Sequence, residues 1–234
     1  MCRERVRAEQ AIIAIDGPAG AGKSTVAQEL SRRLRLRYLD TGAMYRALTL
    51  KALRVHLDLD DERGLAGMAR STEIASGYEA GGKPPYRVLM DGEDVTAAIR
   101  SREVSVHVSQ VSSHSAVRKE MVRKQRLLAG KGGVVVEGRD VGTVVFPHAH
   151  LKFFLTASTA ERARRRYREM KEEGYDVSLK TVQQEMVRRD RLDRTRKVNP
   201  LRRAPDALLV DTTGMSASQV VDRLLRLARS RLAG

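Results

Sequence analysis

The stretch AIIAIDGPAGAGKSTVAQELSRRL, Ala11 to Leu34, decides the fold. Its first part, Ala11 to Asp16, is a short apolar run of the kind that forms a buried strand. Gly17, Pro18, Ala19, Gly20, Ala21, Gly22, Lys23, Ser24 and Thr25 follow, matching the template GxxxxGK[ST] at Gly17, Gly22, Lys23 and Ser24. From Lys23 to about Leu36, Val26, Ala27, Leu30 and Leu34 recur at helical spacing. Strand, glycine-rich loop and helix in this order form a phosphate cradle, because the glycines let backbone N–H groups turn inward and the helix N-terminus adds partial positive charge. Lys23 supplies a full charge for the β- and γ-phosphates of ATP, and the Ser24 hydroxyl a ligand for the Mg²⁺ that accompanies it. A plain glycine turn with a solvated lysine would rarely occur in this context.

Outward from the loop, short apolar runs alternate with amphipathic stretches, which predicts an α/β fold around a parallel sheet. The expected strands are Ala11 to Asp16, Arg37 to Asp40, Gly133 to Glu137, His150 to Thr156 and Ala207 to Asp211. The last helix should begin at a capping box, Ser216 with Gln219, and a second box, Ser158 with Glu161, opens a charged region. Residues 57–111 break the pattern: Gly77, Gly81, Gly82, Pro84 and Pro85 precede YRVLMDGEDV, where Asp91-Gly92 signals a hairpin. This predicts a β-containing insert in a core of about residues 11–56 and 112–234. Residues 158–205 read as two helices parted near Gly174, with a thin apolar stripe and therefore loose packing.

Composition narrows the classes. The chain has 234 residues, enough for one sizeable core, and its 44 basic against 29 acidic residues give a net charge of +15, which points to polyanionic ligands. Residues 160–205 alone hold 15 Lys or Arg against 8 Asp or Glu. A single cysteine, Cys2, excludes an intrachain disulfide framework, and no His or Cys spacing suits a structural metal. No apolar run approaches a membrane span, and the first ten residues, MCRERVRAEQ, carry no signal-peptide segment, so the expectation is a cytoplasmic chain with a frayed lead-in.

ATP or GTP binding alone leaves several classes open. A GTPase switch is disfavoured because the one asparagine, Asn199, is followed by proline and cannot supply an Asn-Lys-x-Asp motif. A nucleic-acid module would account for the charge, but at 4% aromatic residues it would have few stacking platforms. A small kinase fits best, and its acceptor stays open on the loop alone. The segment YLDTGAMYR, Tyr38 to Arg46, places Thr41 and Arg46 beyond a strand end, where ligands collect in open α/β sheets. Read singly, Thr41 is a helix N-cap and Arg46 a surface arginine.

Together, GPAGAGKST, DTGAMYR, SQVSS, EGRDVGTVVFP and RDRLDRTR, in this order, resemble bacterial cytidylate kinase over nearly the whole chain from Ala11 onward. The resemblance implies a P-loop kinase fold with a five-stranded parallel sheet flanked by helices, a nucleoside-monophosphate-binding insert and a mobile helical lid. It also implies ATP and CMP or dCMP as substrates, no nucleic-acid or membrane partner, and a monomer. Carried over by residue, it assigns the cytosine base to Ser109, Arg118 and Asp140, the ribose to Arg189 and Asp193, and the acceptor phosphate to Arg46, Arg139 and Arg196, with Thr41 beside them. Of the lid arginines in ERARRRYR it favours Arg165 at the ATP phosphates, with Arg162 as its neighbour. Lys23, Arg139, Arg165 and Arg196 become the residues expected to stabilise the transferring group.

The base assignment agrees with elementary chemistry. Cytosine offers an N4 amino donor that a carboxylate accepts, whereas uracil presents an acceptor there. Apart from the resemblance, Asp140 beside Arg139 reads as a structural ion pair, and Arg189 with Asp193 as a helix-stabilising pair four residues apart. Glu137 stands where a carboxylate could reach Mg²⁺ through water or serve a structural hydrogen bond.

Overall fold

Ile13, Ala14 and Ile15 are fully buried because strand β1 (Ile12–Asp16) has a parallel neighbour on each side. Ile13 pairs with Val135 of β6 (Val134–Gly138) and with Leu151 of β7 (Leu151–Thr156). A strand enclosed in this way has no solvent face, which is why its sequence is apolar without alternation. β7 pairs in parallel with β8 (Leu208–Asp211), and with β2 (Arg37–Asp40) at the far edge the sheet order is β2-β6-β1-β7-β8. The structure, a computed structural model, describes residues 10–78 and 86–232. Cys2, the rest of the lead-in up to residue 9, and Gly81, Gly82, Pro84 and Pro85 lie outside the described residues.

All five expected strands form, each within a residue of its expected ends. Helix α1 (Lys23–Leu34) stops two residues short of Leu36, because Arg35 adopts a left-handed conformation with φ 55° and closes the helix end. α1 packs against α8 (Ala217–Leu232). The capping box ahead of α8 is complete: Ser216 N–H donates to Gln219 Oε1 at 2.9 Å, and Gln219 N–H donates to Ser216 Oγ at 3.3 Å. The second box is only half made. Glu161 N–H donates to Ser158 Oγ at 3.2 Å, but the Glu161 carboxylate turns to Arg165 at 3.0 Å and Ser158 N–H goes to Thr213 Oγ1.

The chain divides into two compact units, Arg37–Gly130 and the remainder. In Arg37–Gly130, α2 (Thr41–Arg54) starts directly on the end of β2. Its N-cap is Asp40, whose carboxylate accepts Ala43 N–H at 2.9 Å, so Thr41 is the first helical residue and not the cap. α3 (Glu62–Ser71) leads into a three-stranded antiparallel sheet of β3 (Ile74–Tyr78), β4 (Tyr86–Met90) and β5 (Glu93–Asp94). Asp91 and Gly92, with φ of 51° and 85°, form the predicted two-residue turn between β4 and β5. α4 (Arg102–Val111) and α5 (Ser115–Ala129) follow.

In the other unit, α6 (Thr159–Glu172) and α7 (Leu179–Thr195) form the charged region, parted near Gly174 as expected. Their packing is tighter than the thin stripe implied. Ala163, Met170, Val182 and Met186 form a buried cluster with Ala19 of the phosphate loop, covered by Tyr167, Tyr175 and Val177. Among the described residues no helix is long and apolar enough to cross a membrane.

Gly17 shows how closely β1 and β7 constrain the loop. Its φ is +151°, and a Cβ there would run into the backbone carbonyl oxygen of Leu155, which has no freedom to withdraw. Gly17→Ala should therefore cost stability on the order of 1–3 kcal/mol or displace the loop. Urea unfolding together with ATP titration checks this, and a variant with unchanged stability and ATP affinity would contradict it.

Candidate functional site

Lys23 begins α1, and burial of all but 6% of its surface aims its charge along the loop. Its Nζ donates to Pro18 O at 2.8 Å. Ser24 and Thr25 are exposed on the first turn. Gly22, the N-cap, is left-handed at φ 85°, which presents the first amides of α1 to a ligand rather than to a capping side chain.

Asp16, at the carboxyl end of β1, is the residue that sequence reading passed over. It is 4% exposed, and its carboxylate accepts Val141 N–H at 2.8 Å and Gly142 N–H at 2.7 Å. Burial pushes its carboxyl up to about 6, against the two backbone N–H groups; the charge of Asp140 adds to the rise and Lys23 opposes it. A carboxylate ending an apolar strand just before the loop was the available signal.

Asp140 leads into a π-helical turn, Val141–Val145, in which the Asp140 carbonyl accepts Val144 N–H at 2.9 Å and Val145 N–H at 3.3 Å. This geometry is uncommon and concentrates at functional sites. Asp140 is 5% exposed and lies 3.4 Å from Arg196 Nη2, while Arg139 Nε donates to Asp193 at 2.9 Å. The local Arg139–Asp140 pair considered from sequence is thus replaced by two longer-range pairings. Arg196, at the C-terminus of α7, also donates to Asn199 O at 2.5 Å.

The helix pair of Arg189 with Asp193 is not made. Asp193 turns to Arg139, and Arg189 is half-buried, its Nε enclosed with no hydrogen-bond partner among the described residues. Burial and the neighbouring Arg139 lower the Arg189 guanidinium to about 10. Burial alone would raise the Asp193 carboxyl, but Arg139, Arg189 and Arg196 outweigh it and hold it low. Burial opposes the charge of Arg139, yet Asp193 holds its guanidinium above the usual value.

The α6 arginines take separate partners. Arg162, 3% exposed, donates to Ala19 O at 3.0 Å and Ala157 O at 3.1 Å and pairs with Asp190 at 2.7 Å. It fastens the phosphate loop to α6 and α7. Arg165 Nη1 lies 3.7 Å from where a Cβ on Gly22 would stand, so it borders the loop. Its donors go to Glu161, to Thr212 Oγ1 at 3.1 Å and to Thr212 O at 2.7 Å. Thr212 also reaches Ala21 O at 3.3 Å, a second contact with the loop that sequence did not signal. Arg166 pairs with Glu169 at 3.2 Å, on the surface.

A second group of predicted residues lies in Arg37–Gly130. Thr41 is buried at 5% exposure. Arg46 donates to Ile99 O at 3.1 Å and to Ser105 Oγ at 2.8 Å, so it is anchored and not the free surface arginine it resembles in isolation. Ser109 is buried on α4, and Arg118, 2% exposed, donates to Ser112 O at 3.0 Å with its guanidinium 5.3 Å from the Tyr45 ring centroid. Glu137, on β6, is buried. No cluster of three or more His, Cys, Asp or Glu capable of holding a metal occurs among the described residues.

A parallel sheet whose central strand runs into a GxxxxGKS loop and then a helix, with a buried lysine at the helix start, defines a P-loop nucleotide-binding protein. The cytidylate kinase family model matches residues 13–230. The chain belongs to the cytidylate kinase family. It is 52% identical to a cytidylate kinase of Desulfitobacterium hafniense over 94% of this chain and 93% of that protein. Against the cytidylate kinase of Bacillus subtilis it is 48% identical over 94% of this chain and 96% of that protein. The Carboxydothermus hydrogenoformans cytidylate kinase is 50% identical over 92% of this chain and 96% of that protein.

Asp16 carries a pH signature. Its folded carboxyl titrates near 6 against an ordinary 3.8, so the stability it contributes is present below about pH 4 and is lost as the pH rises through 6. Between pH 4 and 7 the stability of the wild type should fall relative to Asp16→Asn by up to about 3 kcal/mol. Urea midpoints of both proteins across that range measure it, and parallel profiles would show that Asp16 ionises normally.

Proposed function

We propose that the protein transfers the γ-phosphoryl group of ATP to CMP, and to dCMP, giving ADP and CDP or dCDP. The observation that carries this reading is a continuous chain of charge within one unit. Lys23 neighbours Asp16, Asp16 neighbours Asp140, Asp140 meets Arg196, and Arg196, Arg139 and Arg189 surround Asp193. Cations aimed at phosphate therefore stand together with a carboxylate suited to cytosine N4. The names of the family's members support the acceptor.

In this reading the loop amides from Gly17 to Thr25, the α1 N-terminus and Lys23 bind the β- and γ-phosphates. A CMP phosphate oxygen attacks the γ-phosphorus, the bond from that phosphorus to the β–γ bridging oxygen breaks, and ADP leaves with the electron pair. Lys23, Arg139, Arg165 and Arg196 offset the charge on the transferring group, and no covalent enzyme intermediate is needed. Asp140 accepts from cytosine N4, with Ser109 and Arg118 at the base. Arg189 and Asp193 orient the ribose, and Arg46 with Thr41 holds the acceptor phosphate. The exposed Ser24 hydroxyl would hold the Mg²⁺ that accompanies ATP, and the ion would supply charge neutralisation at the phosphates. α6 and α7 act as the lid that excludes water, and the enzyme works as a cytoplasmic monomer.

A coupled ADP-release assay with ATP, Mg²⁺ and each nucleoside monophosphate tests the reading. CMP should be the best acceptor, and preference for another acceptor would overturn it. Lys23→Ala should nearly abolish turnover in a folded protein, whereas near-normal activity would remove the loop from the chemistry. Asp140→Asn should lower the ratio of kcat/KM for CMP over UMP by roughly ten- to a hundred-fold, the worth of one base contact. An unchanged ratio would return Asp140 to a structural role.

A further inference from the structure

We infer that Asp16 is the positioning residue for base selection: its carboxylate fixes the turn that presents Asp140, and so sets discrimination between cytosine and uracil without touching either base. The inference rests on the assignment of cytosine N4 to Asp140 made above.

Three observations carry it. Both oxygens of Asp16 are engaged, Oδ1 by Val141 N–H at 2.8 Å and Oδ2 by Gly142 N–H at 2.7 Å, the two residues that follow Asp140. Two adjacent amides gripped by one carboxylate leave the backbone of Asp140 little freedom to rotate. The second observation is space: a Cβ on Gly142 would stand 3.3 Å from Asp16 Oδ2 and 3.1 Å from Lys152 Cδ, so the turn approaches β1 about as closely as backbone allows. The third is cost. A carboxylate 4% exposed beside the like charge of Asp140 is unfavourable, and an apolar side chain would fill the end of β1 without that penalty.

The position of Asp16 in the chain gives the arrangement its consequence. It directly precedes Gly17, so one residue joins the phosphate loop to the turn bearing the base reader. The charges around it are Lys23 from α1 and Asp140 from the turn. On the flanking strands the buried charges are Glu137 of β6 and Lys152 of β7, the latter paired with Asp206 at 2.8 Å. Protonation would remove acceptor capacity from Asp16 and loosen the grip on the two amides. Asn in its place keeps the shape but sets an amide donor against one N–H group.

The test measures kcat/KM for CMP and UMP with the full chain and saturating ATP, in the wild type and in Asp16→Asn. The CMP over UMP ratio should fall about tenfold in the variant while KM for ATP stays within about twofold of the wild type. A loss shared equally by both acceptors, or a raised KM for ATP with the ratio intact, would assign Asp16 to general stability or to the phosphate loop and overturn the inference. A second measurement needs no variant. In the wild type the ratio should decline as pH drops through about 6, and the phosphate titration cancels because both acceptors carry the same group. A ratio flat through that range overturns the inference even if Asp16→Asn does not fold. Failure of the parent reading looks different: the wild type would then show no preference for CMP, or Asp140→Asn would leave the ratio unchanged.

Discussion

Parallel pairing of β1 on both sides is the constraint from which the rest of the site follows. Enclosed between β6 and β7, the strand can deliver its loop only at its carboxyl end, and β6 delivers the Arg139–Asp140 turn at the same end, with Asp16 in register with Gly138. Two segments more than a hundred residues apart thereby come within hydrogen-bonding distance. Once there, the buried amides of the turn need acceptors, and the Asp16 carboxylate supplies both.

The arginines illustrate how a high positive charge is distributed inside a fold. Arg162 satisfies two carbonyls and a buried carboxylate, and Arg165 bonds the carbonyl of Thr212. Arg37 donates to the carbonyls of Leu128 and Ala129 at the end of α5. Guanidinium groups suit such positions because their planar donors reach several acceptors at once. The net charge of +15 therefore overstates the cation available to ligands, since part of it is engaged by backbone carbonyls and carboxylates within the fold.

The strands were legible in sequence because each is a short apolar run bounded by glycine or charge, and the loop because its spacing has few other uses. Taken singly, Thr41 reads as a cap because local pattern does not distinguish it from Asp40, one residue earlier and equally able to accept an amide. The pairing of Asp193 was hidden for a different reason. Four-residue spacing favours Arg189, but Arg139, 54 residues away, lies closer in space, and spacing along one helix says nothing about other elements. The packing of α6 on α7 was underestimated because Ala19, from the loop, completes a cluster that neither helix could form alone. Asp16 drew no notice because a single acidic residue at a strand end belongs to no motif.

The bond from Lys23 Nζ to Pro18 O is internal to the loop, and this alters what arrival of a nucleotide means energetically. An ammonium carries three donors, and the carbonyl engages one of them, so a phosphate oxygen adds to a lysine already held along the loop and need not displace its backbone partner. The bond to a phosphate is charge-assisted on both sides and therefore stronger than the one to the neutral carbonyl. With the side chain fastened to the loop in advance, part of the ordering cost of the cradle falls on folding and not on each encounter.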